Sequence, residues 1–98
     1  MKTKKYLTLL VLISMVQFVF AQANHTVLVG GNQDVFTPSI LNINTGDTVT
    51  FTNIGGYHNV NGLQSVYPNN PESFYAPSQG TSWFSAWTYQ KVFNTSGV

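Results

Sequence analysis

The chain of 98 residues contains two histidines, His25 and His58, and imidazole is both a common metal ligand and a base that titrates near neutral pH. Cysteine is absent, and both methionines, Met1 and Met15, lie near the start of the chain. The three carboxylates, Asp34, Asp47 and Glu72, have no spacing that suggests a paired general acid and base. The residue types therefore exclude a thiol nucleophile, a zinc knuckle and a disulfide framework, and they do not predict an enzyme.

The charge distribution restricts the class of partner. Charged residues make up only 7% of the chain, whereas aromatic residues make up 14%. Three of the four cations (Lys2, Lys4 and Lys5) lie in the first five residues, and after them the only cation is Lys91. A nucleic-acid-binding protein needs a basic stripe, so we expect no nucleic-acid partner. Low charge combined with many aromatic residues also argues against disorder.

The start of the chain has the organisation of a secretory signal peptide. The three early lysines precede an apolar run at 6–20, which is shorter than the roughly 20 apolar residues of a membrane span. The Ala-Gln-Ala tripeptide at 21–23 has the small-x-small form that signal peptidase accepts. We predict a signal peptide over 1–23 and a mature chain that starts near Gln22 or Asn24. The protein is then exported, to the periplasm or the extracellular space, with no membrane span after cleavage.

The rest of the chain has the pattern of short β-strands separated by turn residues. We predict strand segments at 25–29, 36–38 leading into 41–43, 48–52, 57–60, 83–84 and 87–93. The clearest is 48–52, where Val49 and Phe51 alternate with three threonines, as in an antiparallel strand with one buried face. Residues 61–82 are rich in Asn, Pro, Gly and Ser and predict a long surface loop. We therefore expect one all-β sandwich domain.

The predicted mature domain is small for an independent sandwich. A domain of about 76 residues buries only roughly 60% of the surface of its unfolded chain, and this one has no disulfide to stabilise it. Gly97 and Val98 have the pattern of the start of a further strand. We expect that residues 24–98 are incomplete at the carboxyl end and lack the last strand. The alternative is a naturally short domain.

Four motifs follow one another in the first half of the predicted domain. They are F-T-P at 36–38, L-N-I at 41–43, G-D-T-V-T-F-T-N at 46–53 and H-N-V at 58–60. Their order and spacing resemble those of the blue copper proteins, the plastocyanin-like cupredoxins. The aromatic segment 87–93 and the S-G-V tripeptide at 96–98 resemble that family's aromatic strand and the turn before its last strand. The resemblance implies a cupredoxin-like Greek-key β-sandwich over residues 24–98, without its last strand.

The resemblance also implies one type 1 copper ion with His58 as a ligand. The histidine of the H-N-V motif is the first copper ligand in this family, and Asn59 would hydrogen-bond to the loop that carries the copper thiolate. Such a site is trigonal, with two imidazoles, one thiolate and a weak axial sulfur. The thiolate is absent here, so the remaining ligands are expected beyond residue 98, and copper would bind only in the complete chain. The implied function is transfer of single electrons between redox protein partners.

Other interpretations of these residues stay open. A lone histidine such as His58 is more often an ordinary polar or core residue than a ligand, and His25 is expected to be exposed. Asp47, beside a glycine, is expected to hydrogen-bond its own turn. Because cysteine is missing, a copper-free cupredoxin-like module, secreted for binding or adhesion, is an alternative. A domain of a larger copper enzyme is the third possibility.

Overall fold

A computed structural model describes residues 21–98, so the predicted signal peptide lies almost entirely outside the described residues. The described part contains six β-strands and no helix, and hence no helix that could cross a membrane. The strands are β1 (Asn24–Gly30), β2 (Phe36–Thr37), β3 (Thr48–Gly55), β4 (Val60–Asn61), β5 (Tyr75–Ala76) and β6 (Thr88–Val92). The prediction of an all-β domain is confirmed for residues 21–98.

Four strands form one mixed sheet in the order β2-β1-β3-β6. β1 runs parallel to β3, beginning where Asn24 lies opposite Thr48. β6 pairs antiparallel with β3, and β2 pairs antiparallel with β1. β4 and β5 form a separate antiparallel ladder. The predicted antiparallel pairing of 48–52 is therefore confirmed on the β6 side, and its parallel pairing with β1 was not predicted. This arrangement is compatible with a two-layer β-sandwich.

The hydrophobic core joins the sheet to the ladder. Its buried members are Val29, Val60, Ala76 and Trp87, with Phe51, Phe74 and Tyr89 packed against them. The rings of Phe51 and Phe74 stack with their centroids 5.9 Å apart. Because Val49 is also buried and Phe51 is half-buried, the predicted buried face of β3 is confirmed.

Several predicted strand segments are wrong. Residues 41–43 and 83–84 belong to no strand, and only the last residue of the 57–60 run, Val60, pairs in β4. The predicted surface loop at 61–82 contains β5, and Ala76 in that strand is fully buried. Alternation of apolar and polar residues marks a potential strand, but a strand also needs a neighbouring backbone to satisfy its N–H and C=O groups. Among residues 21–98, the 41–43 segment has no such neighbour.

An open apolar groove of about 730 Å³ runs beside the core. Its apolar lining includes Val27, Val49, Phe51, Val60, Phe74 and Phe93, together with the 38–45 segment and the last residues of the described chain. Ile40, at its margin, is 81% exposed. Aromatic side chains that line an open groove are unusual in a closed domain core. Within residues 21–98, the fold is therefore open on this side.

Candidate metal centre

The loop that carries His58 begins where β3 ends, and a buried asparagine organises it. Asn53 is only 1% exposed. Its side-chain amide donates to the carbonyl oxygens of Gly56, Trp83 and Ser85 at 3.1, 2.9 and 3.1 Å, and its side-chain oxygen accepts the Gly55 N–H at 3.2 Å. One side chain thus satisfies four backbone groups and ties the end of β3 to the 83–85 turn.

The backbone of His58 is held on both sides by the segment that precedes β6. Its N–H donates to the carbonyl oxygen of Trp83 at 3.2 Å. Its carbonyl oxygen accepts the indole N–H of Trp87 at 3.1 Å, and Trp87 is itself part of the buried core. The position of His58 is therefore set by the core and not by a free loop.

The imidazole ring of His58 packs against two glycines. A Cβ added to Gly56 would lie 2.6 Å from Nε2, and one added to Gly30 would collide with the ring and with the carbonyl oxygen of Gly55. Gly30 and Gly56 also have positive φ angles, 75° and 92°, which side chains of other residues rarely permit. Both conformation and space therefore require glycine at these two positions.

The His58 side chain is partly exposed, at 18%. Nε2 lies 3.6 Å from a carboxylate oxygen of Asp34, which is too long for a hydrogen bond, and the Asp34 side chain is 95% exposed. The ring lines a pocket of about 150 Å³ together with Asp34 and Asn59. A partly exposed imidazole is a suitable ligand for a transition metal.

The described residues do not complete a type 1 copper site. Such a site needs two imidazoles and a thiolate, and no cluster of three His, Cys, Asp or Glu side chains suited to a metal occurs within residues 21–98. The other imidazole, that of His25, is engaged elsewhere: its Nε2 lies 2.9 Å from Oδ2 of Asp47. His58 is therefore one potential donor, and copper would need its other ligands from outside the described residues.

Asn59, the predicted neighbour of the copper thiolate loop, bonds to a different partner within the described residues. Its side-chain amide donates to the Tyr75 hydroxyl at 3.0 Å. Tyr75 lies on β5, so this bond connects the His58 loop to the ladder. The predicted bond from Asn59 to a ligand loop stays a prediction, because the loop in question was expected beyond residue 98.

The expectation that His25 is exposed is wrong. Its side chain is only 24% exposed because it packs against the buried carboxylate of Asp47. Asp47 also accepts the N–H groups of Ala23 at 2.9 Å and Asn44 at 3.0 Å. The Ala23 N–H, the His25 ring and the Asn44 N–H stabilise the carboxylate, in that order, and lower the pKa of Asp47 from 3.8 to about 2. The predicted turn bond of Asp47 is confirmed, and the same carboxylate also anchors the start of β1.

An aromatic cluster lies next to the His58 loop. The ring centroid of Tyr57 is 4.9 Å from those of both Trp83 and Phe84. Tyr57 and Phe84 are 57% and 70% exposed. These rings form a rim beside His58, whereas Trp87 belongs to the core.

Comparison with known proteins adds no relative: no family model, curated protein or solved structure matches the chain significantly. The functional argument therefore depends on the residues themselves and on their arrangement in the fold.

Proposed function

We propose that this chain belongs to an exported mononuclear blue copper protein of the plastocyanin-like type, which carries single electrons between redox proteins. The observation that carries the proposal is the way in which hydrogen bonds hold the backbone of His58. Its backbone is fixed by the Trp83 carbonyl and the Trp87 indole, while its side chain is 18% exposed and lines a small pocket with Asp34 and Asn59. A rigidly held, partly exposed imidazole suits an electron-transfer site, because a ligand that does not move keeps the reorganisation on electron transfer small.

The proposal assigns the other ligands to sequence after Val98. A cysteine, a second histidine and a methionine on one loop there would supply the thiolate, imidazole and axial sulfur that residues 21–98 lack. The open groove supports this assignment, because a further strand placed in it would cover the rings of Phe51, Phe74 and Phe93. The domain would then be a closed Greek-key sandwich of the cupredoxin kind.

Within this proposal the described residues hold and orient one donor. Asn53 and Trp87 position the His58 backbone, and Gly30 and Gly56 provide the surface on which its ring lies. When bound, copper would supply the one-electron oxidation and reduction. Redox protein partners and a periplasmic or extracellular location are part of the same proposal, and they depend on the predicted signal peptide.

The deciding experiment determines the reading frame beyond codon 98 and isolates the complete secreted protein. With Cu(II) added, the complete protein should bind one copper ion and turn blue. His58→Ala should abolish the colour, whereas His25→Ala, which removes the imidazole bound to Asp47, should keep it. A complete protein that stays colourless with Cu(II), or a His58→Ala variant as blue as the wild type, would contradict the proposal.

The second candidate is a copper-free module of the same fold that binds or adheres to another molecule. The observation that favours it is the incomplete donor set, together with the exposed rings of Tyr57 and Phe84. This candidate predicts a stable secreted product that ends at Val98 and takes up no stoichiometric copper. Tight binding of one copper ion per chain would argue against it.

A further inference from the structure

Ala23 is part of the folded domain, although the sequence motif places it at the end of the signal peptide. Its N–H donates to Oδ1 of Asp47 at 2.9 Å. Its carbonyl oxygen accepts the N–H of Thr48 at 3.0 Å, immediately before the paired residues of β1 and β3. These two bonds extend the attachment of β1 to β3 by one residue.

The bond from Ala23 matters because its acceptor is a buried charge. Asp47 is 3% exposed, and Ala23 is one of the three residues that bond to its carboxylate. A buried carboxylate that loses a donor bears a desolvation cost without compensation. A mature chain that begins at Asn24 would lack this donor, and it would also leave the Thr48 N–H without its acceptor.

Gln22 is in contact with the same turn. A Cβ added to Gly46 would lie 3.0 Å from Nε2 of Gln22, so the Gln22 side chain lies directly over the turn that presents Asp47. Ala21 and Gln22 are both exposed, which leaves the peptide bond between them accessible. The domain therefore extends to Gln22, and the first bond outside it joins Ala21 to Gln22.

We infer that the signal peptide is removed by hydrolysis of the Ala21–Gln22 peptide bond, so that the mature chain begins at Gln22 and not at Asn24. Water adds across that bond, leaving a carboxylate on Ala21 and a new α-amino group on Gln22. Signal peptidase requires a small residue before the cleaved bond, and alanine precedes both candidate bonds. The inference rests on the proposed export. Unlike a mature chain that begins at Asn24, the inferred mature chain keeps Gln22 and Ala23 on the domain.

The test is the mass of the amino-terminal peptide of the secreted protein, expressed from the full chain with its own signal peptide. The expected peptide begins at Gln22. A form that has also lost ammonia, by attack of the new α-amine on the Gln22 side-chain amide, still begins at Gln22 and supports the inference. A peptide that begins at Asn24 overturns the inference and leaves the proposed export intact. A chain that keeps its first 23 residues overturns both.

Two variants provide an independent readout. Ala23→Leu places a large residue before the Ala23–Asn24 bond but leaves Ala21 unchanged, so processing should proceed to the wild-type extent. Ala21→Leu is the matched control, and it should abolish processing because residue 21 belongs to the recognition motif of both bonds. If Ala23→Leu blocks processing, cleavage occurs after residue 23 and the inference is wrong.

Discussion

The side-chain amide of Asn53 donates a hydrogen bond of 2.9 Å to the carbonyl oxygen of Trp83, thirty residues further along the chain. The same Trp83 carbonyl oxygen accepts the N–H of His58 at 3.2 Å. One backbone oxygen thus joins the end of β3, the loop before β6 and the candidate metal ligand. Asn53 is therefore a positioning residue for His58. Within residues 21–98, no hydrogen bond joins Asn53 to the imidazole ring itself.

Replacing Asn53 by alanine should destabilise the domain by about 2–3 kcal/mol, because several buried backbone groups would lose their partners. Asn61→Ala is the matched control. Asn61 is exposed, and within residues 21–98 its side chain accepts only the Leu63 N–H, so the expected loss is below about 1 kcal/mol. Urea unfolding of the secreted protein measures both free energies. Equal losses in the two variants would show that Asn53 does not organise this loop.

Gly30→Ala should displace the His58 ring, whereas Gly80→Ala should not. Both glycines have positive φ angles, 75° and 87°, so each substitution carries a conformational cost of about 1–2 kcal/mol. Only at Gly30 would the new Cβ collide with the His58 ring, because no atom of the described residues lies within 4 Å of the corresponding position at Gly80.

The measurement for this glycine pair is the NMR spectrum of the His58 ring protons, recorded beside the unfolding curve of each variant. We expect the His58 signals to shift in Gly30→Ala alone, together with the larger loss of stability. Unchanged His58 signals in Gly30→Ala would contradict the contact between Gly30 and the imidazole ring.

Acid should destabilise the domain through Asp47. Its pKa is lowered from 3.8 to about 2 in the folded state, chiefly by the Ala23 N–H, so the folded state binds this proton less readily than the unfolded state does. The stability that results is fully present above about pH 4, and it is lost as the pH falls towards 2. Asp47→Asn should therefore be less stable at neutral pH and lose less stability between pH 4 and pH 2.

Glu72 serves as the comparison for this acid transition. Hydrogen bonds from the N–H groups of Thr95 and Asn94 and the charge of Lys91 lower its pKa below 4.5, so it contributes its own loss of stability in acid. Glu72→Gln should remove the acid-induced loss of stability that is due to Glu72 and retain the loss that is due to Asp47. Thermal unfolding at several pH values measures the difference, and an Asp47→Asn curve parallel to the wild type would contradict the role of Asp47.

Local sequence patterns predicted one strand and one turn correctly. The alternation around Val49 and Phe51 identified β3, and a turn residue identified the bond from the Asn44 N–H to Asp47. Residues 41–43 show the limit of such patterns, because the same alternation forms no strand there. An isolated segment does not reveal whether a second backbone lies beside it.

The residues that organise the His58 loop are not marked by a local sequence pattern. Asn53 follows the predicted strand 48–52 and resembles any turn asparagine in sequence. Its role appears only when the 83–85 turn packs against it. His25 and Asp47 are likewise 22 residues apart and become partners only because β1 lies parallel to β3.

By itself, the sequence determined the all-β class and the buried face of β3, because each depends on residue types within a short window. The choice of His58 as the candidate ligand came from the resemblance to the blue copper proteins and stays a prediction. The tertiary structure alone decided that His58 lies on glycines with its backbone bonded at both ends, and that Ala23 belongs to the domain. Those features depend on contacts between distant segments. Hydrogen bonds and packing act over a few ångströms in space, whatever the separation along the chain.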